Sequence, residues 1–432
     1  MGIGVGSNAT GSLSITNGGA VNIGVTSPSL TADILIGGEG SHPGGTGSVT
    51  VNDGSLTLSG TNTFLNVGRN QGSGTMTVEG GGTVSGVFTL EVARDGSTGS
   101  LKVDGAGSTV TLSGTSTTSG AFLGVGVVDT PALAATLGPS TVGNLTVQNG
   151  GKITVDTDNN VNGGISAGVN GGTGNITVTG AGSQIAITGN NGNLTPETGG
   201  GAGIGRSGTG TLNVLAGGRL VVNDTGTAGQ AGMAIGGTPT QVANGEQPGT
   251  GTVTVSGAGS QLNVQSPHGF ITSGYSGTGT LNVLNGGAVT AEGLTIGRNT
   301  GSVGTVSLNG NGSSITLSGN DIGGGNGARL QVGGRGSPAR RSHSTFSTGP
   351  IPTPSPRTAS SISTRFSGSP MRMARTRCRS HRSFPGRSIP CSSAILTSRR
   401  PTLFKSLPSA SIRTSGSPKS RQRFWSQRPR PF

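Results

Sequence analysis

The chain has 432 residues, of which 87 are Gly, 10% are charged and 3% are aromatic, and its formal net charge is +13. So much Gly without a strict triplet period excludes collagen and leaves either a disordered chain or a turn-dense repeat. Residues 1–334 carry eight Lys/Arg against fifteen Asp/Glu, net −7, whereas residues 335–432 carry twenty Lys/Arg and no acid. Two polymers of different character therefore meet at about Gly334.

The start, MGIGVGSNATGS, shows neither the basic nor the apolar segment of a secretory signal. Gly2 with Ser7 is only a faint trace of a myristoylation pattern. Ile3-Gly4 has the form of a strand end, so Met1 is expected to fall inside a longer reading frame. No stretch approaches the roughly eighteen apolar residues of a membrane-spanning helix, so none is predicted.

From residue 11 onward a short pattern recurs, clearest at Gly279–Gly297 as GTLNVLNGGAVTAEGLTIG. It opens with a Gly-led first strand whose apolar residues sit two apart, the side-chain period of a strand with one face buried. Copies begin at Gly11, Gly47, Gly74, Gly99, Gly143, Gly174, Gly210, Gly251, Gly279 and Gly304, with a looser eleventh at Gly327-Ala328-Arg329-Leu330-Gln331-Val332. The shortest steps are near 25 residues. Longer steps are coils with inserted loops, clustered at residues 112–142 (with Pro131 and Pro139), 189–203 and 236–249.

After the first strand comes a bend in one of two forms. One is Asn17-Gly18-Gly19 and its relatives at Asn149, Ala216 and Asn285; the other is Gly-Ala-Gly-Ser at 105–108, 180–183 and 257–260, with Gly310-Asn311-Gly312-Ser313 close to it. Asn and Gly tolerate the positive φ that a sharp bend demands. A second strand follows, as at Ile185/Ile187 and Leu262/Val264, then a third ending in Ile/Val-Gly, as at Ile204-Gly205 and Ile296-Gly297. Three strands and three bends make one triangular coil. A lone coil buries too few aliphatics to offset the entropy of ordering its backbone, so the copies must stack. The fold class predicted is all-β, a right-handed parallel β-helix of about eleven coils over residues 1–334.

Residues 335–432 have no alternation, no acids and many Arg, Ser and Pro, the composition of a disordered basic tail. Both cysteines, Cys378 and Cys391, lie there, so the repeat region is disulfide-free. The break falls in mid-coil, as a shifted reading frame would place it; translating the other frames of the gene tests this.

Asp156 and Asp158 share a strand face and could meet a sugar or Ca²⁺, but read more simply as solvated acids at a corner. Asp95 and Asp104 have no visible partner and read the same way. Gly37-Gly38-Glu39-Gly40-Ser41-His42 and Gly171-Gly172-Thr173-Gly174-Asn175-Ile176 lack the Asp of the Ca²⁺-binding nonapeptide. His42 and His268 have no second metal ligand near them in sequence. Ser207 in GRSGTG is turn chemistry, not a nucleophile elbow, and the run Gly199–Gly205 lacks the Lys and helix of a phosphate loop. The paired threonines Thr75/Thr77 and Thr252/Thr254 match the outward pairs that order water in ice binding. Against that, other coils carry Asn, Ser or Lys there and the inserts are expected to break the spacing. No catalytic, cofactor-binding or metal residue is assigned. The tail could neutralise nucleic-acid phosphates but carries no recognition motif, so no specific nucleic acid is expected.

With its repeats aligned, the chain resembles the passenger region of bacterial autotransporters (type V secretion), whose Gly-rich β-helix repeats read G-T-L-N-V-x-x-G-G-x-V. The resemblance covers about Ile3 to Gly334. It implies a non-enzymatic, adhesin-like stalk at the bacterial outer surface or secreted, touching host or abiotic surfaces or neighbouring cells. It also implies an outer-membrane β-barrel translocator, of which residues 335–432 show none of the alternating strands; the chain is expected to be a fragment. A carbohydrate-active β-helix enzyme and an ice-binding or nucleic-acid-binding solenoid are the alternatives.

Overall fold

The computed structural model describes residues 1–27, 30–40, 44–113, 120–157, 163–189, 201–224, 232–238, 246–265, 269–319, 328–333 and 343–348. Internal contacts divide the chain into Met1–Thr364 and Arg365–Phe432, and the second unit lies outside the described residues.

The first unit is a right-handed parallel β-helix of three sheets with 11, 11 and 10 strands, each strand pairing with those one coil before and after it. First strands run from Thr10–Thr16 to His343–Thr348, second strands from Ala20–Gly24 to Ser314–Leu317, and third strands from Gly2–Ile3 to Arg329–Val332. Leu212, Val253, Leu281 and Val306 are consecutive register partners, and all four are fully buried. The third strands supply a parallel interior column in which Ile34, Leu65, Leu90, Leu123 and Ile165 follow one another. Two aliphatics per strand thus become continuous columns, and these columns close the core.

Three details differ from the sequence expectation. Arg329–Val332 is a third strand, since Leu330 pairs with Leu294, and not an eleventh first strand. The eleventh first strand is His343–Thr348, beyond Gly334, with Phe346 in register with Val306. One apolar residue among hydroxyls left no alternation to read. Residues 112–142 and 189–203 are not single loops either, because each contains a third strand, Phe122–Val127 and Gly201–Ile204.

The leading Gly of each first strand has a steric cause. It points inward where the third strand bends into the first, and the backbones of the two elements touch there. A Cβ built on Gly143, Gly174 or Gly251 would lie 2.6 Å from the amide nitrogen of Gly126, Gly168 or Gly236 respectively. Those partners hold φ of +68°, +70° and +70°, a region open to Gly at little cost. One corner departs from the rule: Ala93 takes φ +65° where its equivalents are Gly.

The two bend forms alternate from coil to coil, beginning at Gly80-Gly81-Gly82, and the alternation is itself bonded. The Ser that ends each Gly-x-Gly-Ser bend accepts a hydrogen bond from the central Gly of the preceding bend. Gly81 N–H donates to Ser108 Oγ (3.2 Å), Gly150 to Ser183 (2.9 Å), Gly217 to Ser260 (3.0 Å) and Gly286 to Ser313 (3.0 Å). Ser108, Ser260 and Ser313 also donate to the carbonyl four residues earlier. The structural unit is therefore a pair of coils. Ser260→Ala is expected to cost about 1–2 kcal/mol, because the Gly217 N–H loses its partner. Amide exchange at Gly217 should quicken while that at Gly286 keeps its wild-type rate, and equal rates at Gly217 in both proteins would refute the staple.

Candidate functional site

The third-strand sheet turns a polar column outward, including Asn66, Glu91, Ser166, Thr272 and Thr295, yet all five are buried. The cover comes from the residue after each corner. Positive φ at Gly68, Ala93, Gly205 and Gly297 swings the next residue back over the sheet, and in all four coils that residue is Arg: Arg69, Arg94, Arg206 and Arg298. Half of the cations of residues 1–334 occupy this one column.

Its best-defined point is Arg94. The guanidinium bonds Glu91 three residues earlier, Asp95 beside it (3.4 Å) and Asp129 in the insert that follows the corner. The Asp129 N–H donates to Asp95 Oδ1 at 2.9 Å. Burial pushes the Glu91 carboxyl above the usual carboxylate range, although Arg94 pulls it down. Asp95 is likewise raised, first by burial and then by the charge of Asp129, against the backbone bond it accepts. Burial alone would loosen the Arg94 proton, but Glu91 and Asp129 outweigh it and hold the group firmly charged. The arrangement clamps the insert carrying the short helices Pro131–Leu133, Ala134–Leu137 and Gly138–Ser140. Arg206 reaches Glu246 of another insert at 3.4 Å, and Arg298 stacks on Tyr275 with 4.5 Å to the ring centroid. Arg94 and Arg206 thus fasten inserts to the solenoid, whereas Arg298 packs on the residue after the preceding coil's corner.

Asp95 and Asp104 both have partners, contrary to expectation. Asp104 accepts from Asn149 and Gln148 at 2.8 Å each and lies 3.2 Å from Lys102. Hydrogen bonds from Asn149 and Gln148, with the Lys102 charge, hold its carboxyl below the usual range. Asp156 ends the strand Lys152–Asp156 in register with Thr188, while Asp158, His42 and His268 lie outside the described residues. Ser207 is 4% exposed and bonded to Asn170, accepting from its backbone N–H and donating to its side chain. Ile176 of the second glycine run is a fully buried core residue, so that run is the entry to a strand. Among the described residues, no group of three or more His, Cys, Asp or Glu could hold a metal ion. No helix among them is long and apolar enough to cross a membrane, which says nothing of a β-barrel.

The first-strand sheet is the other broad surface. Every pair from Thr10–Thr16 to Val303–Asn309 is in register over all seven residues, without a bulge. The inserts leave at the two corners flanking the third strands and none enters this sheet, so the expected break in spacing does not occur.

These features define a class by architecture: a right-handed parallel β-helix in which Ser–Gly bonds join successive bends and Arg–carboxylate pairs hold two inserts. No family model and no curated protein matches the chain. A solved structure described as the crystal structure of the TibC-catalyzed hyper-glycosylated TibA55-350 fragment aligns with 78% of this chain and 99% of its own, at 15% identity and a TM-score of 0.24. A superposition that loose carries no argument about this chain.

Proposed function

We propose that the chain is a non-enzymatic, adhesin-like passenger stalk of the type V secretion kind, displayed on the bacterial surface or released from it. The observation that supports this reading is the uninterrupted stack of Gly-led coils from Thr10 to Asn309, with Arg94 and Arg206 bonded to carboxylates of inserts. A solenoid whose core is built from aliphatic side chains suits a chain threaded unfolded across membranes and folded outside. Its partners would be host, abiotic or neighbouring-cell surfaces, and a β-barrel translocator would be supplied outside the described residues.

The test is gain of adhesion. The chain is joined to a secretion signal and a type V translocator and displayed on a non-adherent bacterium. Display should raise attachment to cultured cells or to glass over that of the empty translocator. Failure of the displayed, protease-resistant chain to raise any attachment would overturn the proposal. Polysaccharide cleavage that disappears with Asp156→Asn would replace it with the enzyme reading.

A further inference from the structure

The first-strand sheet changes character along its length. Its early coils expose Glu79, Lys102 and Asp104, which form an ion-pair cluster, with Lys102 Nζ 3.6 Å from Glu79 and 3.2 Å from Asp104. From Val142–Gln148 to Val303–Asn309 the charges stop. Six strands present four outward residues each, and of these 24 positions twelve are Thr, five Asn, two Ser and one Gln. The other four, Val142, Leu215, Leu284 and Val303, lie in the outer two columns. The central columns are wholly polar and uncharged: Asn144, Asn175, Thr211, Thr252, Thr280 and Thr305 in one, and Thr146, Thr177, Asn213, Thr254, Asn282 and Ser307 in the next.

That composition narrows the occupant. A polyanion needs cations, and this face has none. A sugar ring is normally held on an aromatic platform, and no outward position is aromatic. A protein partner needs a desolvated apolar centre, whereas here the apolar residues are marginal and the centre is hydroxyl and amide. What fits is a partner that is itself a planar, regularly spaced array of hydrogen-bonding oxygens.

The spacing is fixed by the backbone. Parallel strands lie about 4.7–4.9 Å apart and alternate residues about 6.6 Å apart along each strand. Because every strand pair is in register, these two repeats form a rectangular grid of hydroxyl and amide groups, onto which an ordered layer of water oxygens can fit. Side chains are held along the column, as where Asn175 Nδ2 donates to Asn144 Oδ1 at 3.1 Å. β-branched Thr loses little rotamer freedom on contact, because χ1 is already restricted.

We infer that the outward face of the first-strand sheet between Val142–Gln148 and Val303–Asn309 binds ordered water, and through it the surface of ice. The inference stands on the register and composition of this sheet and does not depend on the adhesin reading.

The experiment uses the full chain, labelled with a fluorophore, in three assays: ice-crystal shaping, inhibition of ice recrystallisation, and uptake of label into a growing ice hemisphere. Thr252→Tyr/Thr280→Tyr places two bulky rings in the middle of the grid. Ser48→Tyr places one on the same sheet beyond the charged cluster. All three proteins should keep the same circular dichroism and melting temperature, since these positions face solvent. Wild type and Ser48→Tyr should shape ice and suppress recrystallisation, and the double variant should lose most of both. A folded wild type that leaves ice unshaped overturns the inference, as does equal loss in Ser48→Tyr. Retention on insoluble cellulose that the double variant abolishes, without an effect on ice, also overturns it and assigns the face to a neutral polysaccharide.

Discussion

Gly251→Val should destabilise the solenoid by about 3 kcal/mol or more, because overpacking that meets backbone cannot be relieved by a rotamer change. The Cβ would fall 2.6 Å from the Gly236 nitrogen, at the corner after one third strand, and 3.0 Å from the Ile204 carbonyl carbon, which ends the third strand before it. Gly301→Ala supplies the contrast. Gly301 has φ +82° and nothing within 4 Å of its would-be Cβ, so it should cost only the left-handed strain of a non-Gly residue, about 1 kcal/mol. Urea unfolding of both variants measures the difference. A Gly251→Val protein as stable as Gly301→Ala would show that the corner can open, and the steric account of the leading Gly would fail. The fold makes a second demand on that experiment: each coil contacts only its neighbours, so the damage should spread from the coil of Thr250–Ser256 and leave distant coils protected from amide exchange.

The architecture was legible because two signals coincide at every coil. Period-2 aliphatics mark the strands, and Gly marks the corners where one backbone meets another. Where either signal weakens, the reading fails in a definite way. Thr83–Val87 breaks the alternation because Gly86, at φ +71°, inserts a residue, and the pairing with Thr109–Leu112 shifts there. Arg329–Val332 carries a first-strand spacing of apolar residues but belongs to the third sheet, since both sheets share that spacing and only pairing separates them. His343–Thr348 has one apolar residue, too few for a periodic signal.

The polar architecture was less legible, for reasons of distance along the chain. Ser260 and Gly217 are 43 residues apart, and Arg94 and Asp129 are 35. Contacts at such separations follow from coil stacking and from no local motif. Both were nevertheless visible in part. The alternating bends have a period of two coils, twice that of the strands, and an Arg follows Ile/Val-Gly or Val-Ala four times. Asp95, read as a solvated acid, is in fact paired, because its neighbour Arg94 is turned inward over the sheet by the positive φ of Ala93.

That network gives the second large effect. Arg94→Ala leaves Glu91, Asp95 and Asp129 facing one another without a cation, and breaking a buried pair in this way is expected to cost about 3 kcal/mol near neutral pH. The sign of the pH dependence separates electrostatics from lost packing. Glu91 and Asp95 already bind protons more tightly folded than unfolded, so their share of stability is present at low pH and lost as pH rises through their raised folded pKa values. Removing Arg94 raises those values further, so the deficit of the variant should shrink as pH falls from neutral into the carboxylate range. Glu91→Gln should flatten the wild-type curve over the same range, because the neutral amide keeps the shape and removes one titrating group. Unfolding midpoints for the three proteins across pH measure this. A deficit for Arg94→Ala that stays constant with pH would mean that the guanidinium acts as packing alone, and the raised carboxyls would then contribute nothing to the clamp on the insert at Asp129.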